Sequence, residues 1–138
     1  MGSGIAEVCA RAGYTTIVRE INDELLEKGR QRIERSLGRA VDRGKLDASA
    51  RDETLQRVRG TTSFDDFAAC DLVIEAATEN PDIKRKTFAE LDRVCPPHAL
   101  LASNTSSIPI IQMATATQRP DKVLGMHFMN PEIGRAHV

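Results

Sequence analysis

The run Asp-Leu-Val-Ile-Glu-Ala-Ala at 71–77 constrains this chain more than any other stretch. It is apolar, too short for a typical helix and bounded by polar residues. Unbroken apolar runs of this kind mark strands covered on both faces, as in a parallel sheet flanked by helices. The residues that follow agree. Thr78-Glu79-Asn80 ends the run, and Pro81 stands where an N1 proline opens a helix over 82–94, with Ile83, Phe88 and Leu91 predicted to be buried. Pro96-Pro97 terminates that helix, and a second apolar run, 99–102, breaks off into Ser103-Asn104-Thr105-Ser106-Ser107. Pro109 then opens a helix through Ile110, Ile111 and Met113, and 122–128 reads as the last strand.

The upstream half repeats the alternation. Residues 1–13 read as a short helix with Ile5, Val8, Cys9 and Ala12 on one face, ended by Gly13. Tyr14 to Val18 is rich in β-formers and stops at Arg19-Glu20. Asn22 or Asp23 caps a long helix from Glu24 to about Gly44, with Leu26, Ile33, Leu37 and Val41 as its apolar stripe and Arg32, Arg35, Arg39 and Arg43 along another face. A second helix is predicted over about 47–59, with Leu55 and Val58 inward, so that the pair forms a helical hairpin between strands, followed by Gly60 and a short strand at 61–63. Strand and helix in alternation predict a doubly wound α/β domain with a parallel sheet.

Composition narrows the class. With 138 residues, 41% hydrophobic and 28% charged, the chain is one globular domain or a piece of one. A net charge of −1 gives no field to recruit nucleic acid or an anionic membrane surface. The 3 cysteines, Cys9, Cys70 and Cys95, have no C-x-x-C spacing, which argues against zinc and for a reducing compartment, with the cytoplasm as the default. No apolar run approaches the roughly 20 residues of a membrane span.

In an open parallel sheet, ligands sit just past the carboxyl ends of the strands. There the chain offers a hydroxyl cluster centred on Ser106 after one apolar run and His127 with Asn130-Pro131 around the next. A hydroxyl and an imidazole delivered to one rim suit the proton of an alcohol substrate. The structural alternatives are that Ser106 caps the following helix and that His127 is a hydrogen-bonded core residue. Near the start, Gly2 and Gly4 let a helix N-terminus approach a strand backbone or a phosphate. Glu20 stands at the end of the second strand, where the ribose hydroxyls of NAD are held, or is an ordinary exposed strand end. The arginine row attracts phosphates or is only solvated surface, with Glu27, Glu34 and Asp42 partly neutralising it.

A dinucleotide domain begins with a strand that leads into G-x-G-x-x-G. Here only the last of those glycines, Gly2, is present. In the usual strand order 3-2-1-4-5-6 the first strand is central, and its absence leaves unpaired backbone on both sides of a slot. The chain is therefore expected to be a fragment in which Met1 is internal.

The sequence closely resembles the NAD-binding domain of the 3-hydroxyacyl-CoA dehydrogenases, especially the bacterial 3-hydroxybutyryl-CoA dehydrogenases. The likeness runs almost without gaps over 1–131 and rests on Met-Gly-Ser-Gly-Ile-Ala at 1–6, Arg-Glu-Ile-Asn at 19–22, Asp-Leu-Val-Ile-Glu-Ala at 71–76 followed by Glu-Asn, Ala-Ser-Asn-Thr-Ser-Ser at 102–107, and Gly-Met-His-Phe-Met-Asn-Pro at 125–131. The last two motifs together are highly specific. The resemblance implies a Rossmann-type sheet lacking its first strand, NAD as cofactor, and oxidation of (S)-3-hydroxyacyl-CoA to 3-ketoacyl-CoA in fatty-acid β-oxidation or butanoate metabolism. It implies His127 as the proton acceptor and Ser106 as the hydrogen-bonding partner of the substrate oxygen beside the nicotinamide. Gly2, Glu20, Glu79, Lys84 and Asn130 match cofactor contacts, and Ser36 and Arg43 match coenzyme A contacts, the latter commonly lysine.

The end of the chain departs from the family, which continues into a Val-Pro-rich turn, a glutamate that orients the histidine, and a helical C-terminal domain that makes a homodimer. Here residues 132–138, Glu-Ile-Gly-Arg-Ala-His-Val, resemble the translation of a widely used sequencing adapter and read as a non-native tail. The parent is thus expected to be an enzyme and the fragment alone inactive. The other readings are the dehydrogenase part of a multifunctional β-oxidation protein and a non-catalytic NAD-binding relative, which would be expected to lack His127 or Ser106.

Overall fold

A computed structural model describes residues 2–77 and 79–129, together with the backbone of a strand at Ala136–His137. The chain divides into two compact units, one from residues 1–63 and one from 64–131.

In the first unit, α1 (Gly2–Arg11) turns through Gly13, at φ +102, into β1 (Thr16–Arg19). A left-handed residue at that point is what glycine supplies without strain. The helix buries Ile5, Ala6 and Ala10 rather than the predicted Val8, Cys9 and Ala12, with the small alanine side chains permitting close packing. Next comes α2 (Asp23–Asp42), where Asn22 is the cap: its Oδ1 accepts the Leu25 N–H at 2.9 Å, and Asp23 and Glu24 complement the positive helix end. Ile33 and Leu37 pack with Ala6, and Val18, Leu46, Leu55 and Val58 close over them.

The predicted second helix ends early. α3 covers Ala48–Gln56, and Val58 belongs to β2 (Val58–Thr61), not to the helix or to a strand at 61–63. The cause is β1, whose backbone needs a parallel partner and takes residues 58–61 in the register Thr16↔Val58 to Arg19↔Thr61. Gly60 is where α2 comes closest, since a Cβ there would lie 3.2 Å from Leu26 Cδ2.

The second unit holds the parallel sheet β3-β4-β5, from β3 (Leu72–Glu75), β4 (Leu100–Ser103) and β5 (Val123–Gly125). Their register runs from Leu72↔Leu100 to Glu75↔Ser103 and from Leu101↔Val123 to Ser103↔Gly125. α4 (Pro81–Val94) crosses between the first two strands. Asn80 caps it, with Oδ1 accepting the Ile83 N–H at 3.1 Å. Ile83 is 48% exposed, contrary to the sequence pattern, and Lys84, at 1%, is buried with Phe88 and Leu91 instead. At the other end of α4, Arg119 donates to Asp92 Oδ1 at 2.6 Å and to the carbonyls of Asp92, Cys95 and Pro96, satisfying the acceptors a helix terminus leaves open. α5 (Ile110–Ala114) follows β4, and β6 (His127–Phe128) lies just past β5, where it pairs antiparallel with β7 (Ala136–His137).

The two units thus hold separate parallel ladders, β1-β2 in the first and β3-β4-β5 in the second. Among the described residues no strand pairs with the second side of β1 or of β3. No helix there is long and apolar enough to cross a membrane.

Candidate active site

The carboxyl ends of β4 and β5 converge on one open cavity of about 380 Å³. Ser106 and Ser107 line one side, Gly125, Met126 and His127 another, and Ile108 to Ile110 supply an apolar wall. Ser106 is exposed and His127 half-buried. A hydroxyl and an imidazole on the rim of a partly apolar cavity can engage a substrate alcohol and accept its proton. Ser106 does not cap the next helix. The cap residue of α5 is Pro109, and it is the Thr105 hydroxyl that accepts the Ser107 and Ile108 N–H groups, at 3.3 and 3.1 Å. His127 is half-buried rather than in the core, and among the described residues its ring has no hydrogen-bond partner.

Two carboxylates brace the hydroxyl loop. Glu79 Oε2 accepts from the Thr105 and Ser107 hydroxyls at 2.7 and 3.1 Å. Those bonds, the first above all, hold its carboxyl below the usual glutamate range, helped by Lys84 and by the Ser106 N–H. The flanking hydroxyls are therefore spent, while that of Ser106 has no hydrogen-bond partner among the described residues and lines the cavity. Because the lowered value belongs to the braced loop, the brace is complete at neutral pH and is lost as pH falls through the ordinary carboxylate range and below it. We expect the Ser106 and Ser107 amide resonances to stay constant through most of the range in which an ordinary glutamate titrates and to move only toward and below its acid end. Glu79→Gln should abolish that movement, read by two-dimensional NMR against pH.

The second brace is buried. Glu75 accepts from Lys84 Nζ at 2.6 and 2.8 Å, from the Ser103 hydroxyl at 2.8 Å and from the Ala77 N–H at 2.8 Å. Its carbonyl also accepts the Asn104 N–H at 2.8 Å. Lys84, matched above to a cofactor contact, is engaged here by Glu75. With its side chain 2% exposed and its ammonium held by Glu75, it supports the loop from below. Sequence periodicity passed over Glu75, Ser103 and Asn104. The one available signal was a glutamate interrupting an apolar strand with a lysine on the next helix.

The first unit carries the other predicted residues. Gly2 starts α1, a Cβ built there would meet nothing within 4 Å, and the first helical turn has no acidic residue. An anion at that terminus would meet amide N–H groups without a competing carboxylate, so the terminus fits a pyrophosphate. Glu20 follows β1, half-buried, with its N–H on the Thr61 carbonyl at 3.1 Å. Arg32, Arg35 and Arg39 on α2 and Arg43 at its C-cap are all exposed, and Glu34 pairs with Arg30 rather than with that row. Ser36 donates to Glu7 Oε1 at 2.9 Å, so its hydroxyl proton already ties α2 to α1. Asn130 lies outside the described residues. Among the described residues no three His, Cys, Asp or Glu side chains gather as a metal site, and none of the three cysteines is in a disulfide.

Comparison with known proteins agrees with this geometry. A 3-hydroxybutyryl-CoA dehydrogenase of Mycobacterium tuberculosis is 52% identical over 132 residues, covering 95% of this chain and 46% of that protein. A probable 3-hydroxybutyryl-CoA dehydrogenase of Deinococcus radiodurans is 48% identical over 131 residues, 95% of this chain and 47% of its own length. The crystal structure of M. tuberculosis FadB2 superposes with a TM-score of 0.93 at 52% identity, over 95% of this chain and 46% of that one. The chain thus spans about half the length of the relatives it matches. The family model of the 3-hydroxyacyl-CoA dehydrogenase NAD-binding domain matches residues 1–133, and the chain belongs to that family.

Proposed function

We propose that the protein to which this chain belongs is an NAD-dependent dehydrogenase that oxidises the 3-hydroxyl of (S)-3-hydroxyacyl-CoA to a 3-keto group. The chain supplies its dinucleotide- and alcohol-facing half. The observation that carries the reading is that Ser106 and His127 line one cavity at the carboxyl ends of adjacent parallel strands. The chemistry NAD supplies when bound is acceptance of a hydride from C3. The Ser106 hydroxyl donates a hydrogen bond to the substrate oxygen, and an unprotonated His127 ring nitrogen takes the proton as the C–O bond becomes a carbonyl. The N-terminus of α1 at Gly2 binds pyrophosphate, and Glu20 holds the ribose hydroxyls and repels a 2′-phosphate, which favours NAD over NADP. Asn130 serves the nicotinamide end. Exposed Arg43, with the row behind it, meets the coenzyme A phosphates.

The retained pair His127 and Ser106 favours turnover over a purely cofactor-binding relative. A central strand ahead of Gly2 and a helical C-terminal domain complete the protein, which acts as a homodimer in the cytoplasm, and residues 132–138 are not part of it. The deciding experiment is NADH formation from (S)-3-hydroxybutyryl-CoA by the complete protein. Steady turnover with NAD, far slower turnover with NADP and none from the 138-residue chain alone are expected. Absence of turnover by the complete protein on short and long (S)-3-hydroxyacyl-CoA substrates would overturn the reading.

A further inference from the structure

The β4–β5 ladder reaches Ser103↔Gly125, and one further backbone bond, Met126 N–H to the Ser103 carbonyl at 2.9 Å, follows it. Past that bond the link between the two segments is made by a side chain. Asn104 Oδ1 accepts the Phe128 N–H at 2.7 Å. The Asn104 N–H is meanwhile fixed on the carbonyl of Glu75, the last residue of β3. Asn104 therefore ties three segments at one point, two residues before Ser106 and beside the residue that follows His127. An asparagine side chain is short and its acceptor sits at a set distance from the backbone, so it works here as a spacer of defined length.

We propose that Asn104 is the positioning residue that sets the His127 imidazole against the Ser106 hydroxyl. It is not a catalytic residue, because its side chain is not part of the cavity lining and its acceptor is occupied by Phe128. A backbone shift of about 1 Å at a proton acceptor costs on the order of 100-fold in rate, so a single such spacer carries a large effect. The kinetic arm of this inference rests on the dehydrogenase reading above, and the spectroscopic arm does not.

The test compares Asn104→Ala, Asn104→Gln and Asn104→Asp in the complete protein. Aspartate keeps an acceptor at the same reach, glutamine moves it outward by one methylene, and alanine removes it. Hydrogen exchange at the Phe128 amide and the His127 ring resonance are read by NMR, and kcat and the KM for NAD are measured. Alanine and glutamine are expected to speed Phe128 exchange at least 10-fold, move the His127 resonance and lower kcat about 10- to 100-fold with an unchanged KM for NAD. Aspartate is expected to restore Phe128 protection and most of kcat. If alanine fails to fold, the contrast between glutamine and aspartate decides. Unchanged Phe128 exchange in the variants lacking the acceptor would overturn the proposal, as would freed exchange with full kcat, or an aspartate variant as impaired as glutamine. Should the wild type lack dehydrogenase activity, the function reading fails by itself, and the His127 resonance still tells a moved ring from a fixed one.

Discussion

Replacing His127 by glutamine in the complete protein is expected to lower kcat roughly 10²- to 10⁴-fold, the range that a positioned proton acceptor contributes. Affinity for NADH is expected to stay within about 2-fold, because the variant retains every backbone bond that shapes the cavity. Those bonds belong to the flanking residues, with Met126 N–H on Ser103 and Phe128 N–H on Asn104. Glutamine fills similar space and still hydrogen-bonds the substrate oxygen, but its amide cannot take a proton at neutral pH. Ser106→Ala, which removes one hydrogen bond and no proton acceptor, should cost less. Steady-state kinetics and an NADH fluorescence titration give both numbers. A His127→Gln enzyme turning over at the wild-type rate would remove the imidazole from the mechanism.

The second large effect is on stability. Lys84→Met is expected to destabilise the fold by about 3–5 kcal/mol, since it leaves a buried carboxylate without its counter-ion. The Glu75 and Lys84 side chains are 3% and 2% exposed. The pair also sets the start of the hydroxyl loop, through Ser103 and the Ala77 N–H. Against a typical total of about 5–15 kcal/mol, a loss of that size is severe. Neutralising both partners should undo most of it. In Lys84→Met/Glu75→Gln the amide oxygen accepts from the Ala77 N–H, the amide NH2 donates to the Ser103 hydroxyl oxygen, and no buried charge remains. Chemical denaturation of wild type, single and double variants measures the series. A single variant as stable as wild type would show that the ion pair is not what holds β3, α4 and β4 together.

That ion pair also marks the limit of reading along the chain. The residues that punctuate the fold act through their own backbones and were legible: Gly13 and Gly44 at positive φ, Asn22 as a cap, Pro81 at the start of α4. The strand at 72–75 was legible because an unbroken apolar run has few other uses. Periodicity placed Ile83 inside and passed over its neighbour Lys84, yet the structure has Ile83 48% and Lys84 1% exposed. A lysine turns inward only when a carboxylate waits there, and Glu75 reaches that place through the pairing of β3 with β4. The boundary between α3 and β2 was misplaced for the same kind of reason. Val58 is a strand residue because β1 needs a partner, a demand that residues 47–59 do not carry in themselves.

Local chemistry thus determined the order of strands and helices, their caps and breaks, and the residue types able to handle an alcohol and a dinucleotide. Each of those depends on backbone conformation or side-chain identity within a few positions. Only tertiary structure decided that the Thr105 and Ser107 hydroxyls are spent on Glu79, that Lys84 serves a carboxylate inside the fold, and that Asn104 joins the Ser106 loop to the His127 strand. Those outcomes follow from hydrogen bonds between residues that parallel strand pairing brings together from far apart in the chain, and no nearby residue signals them.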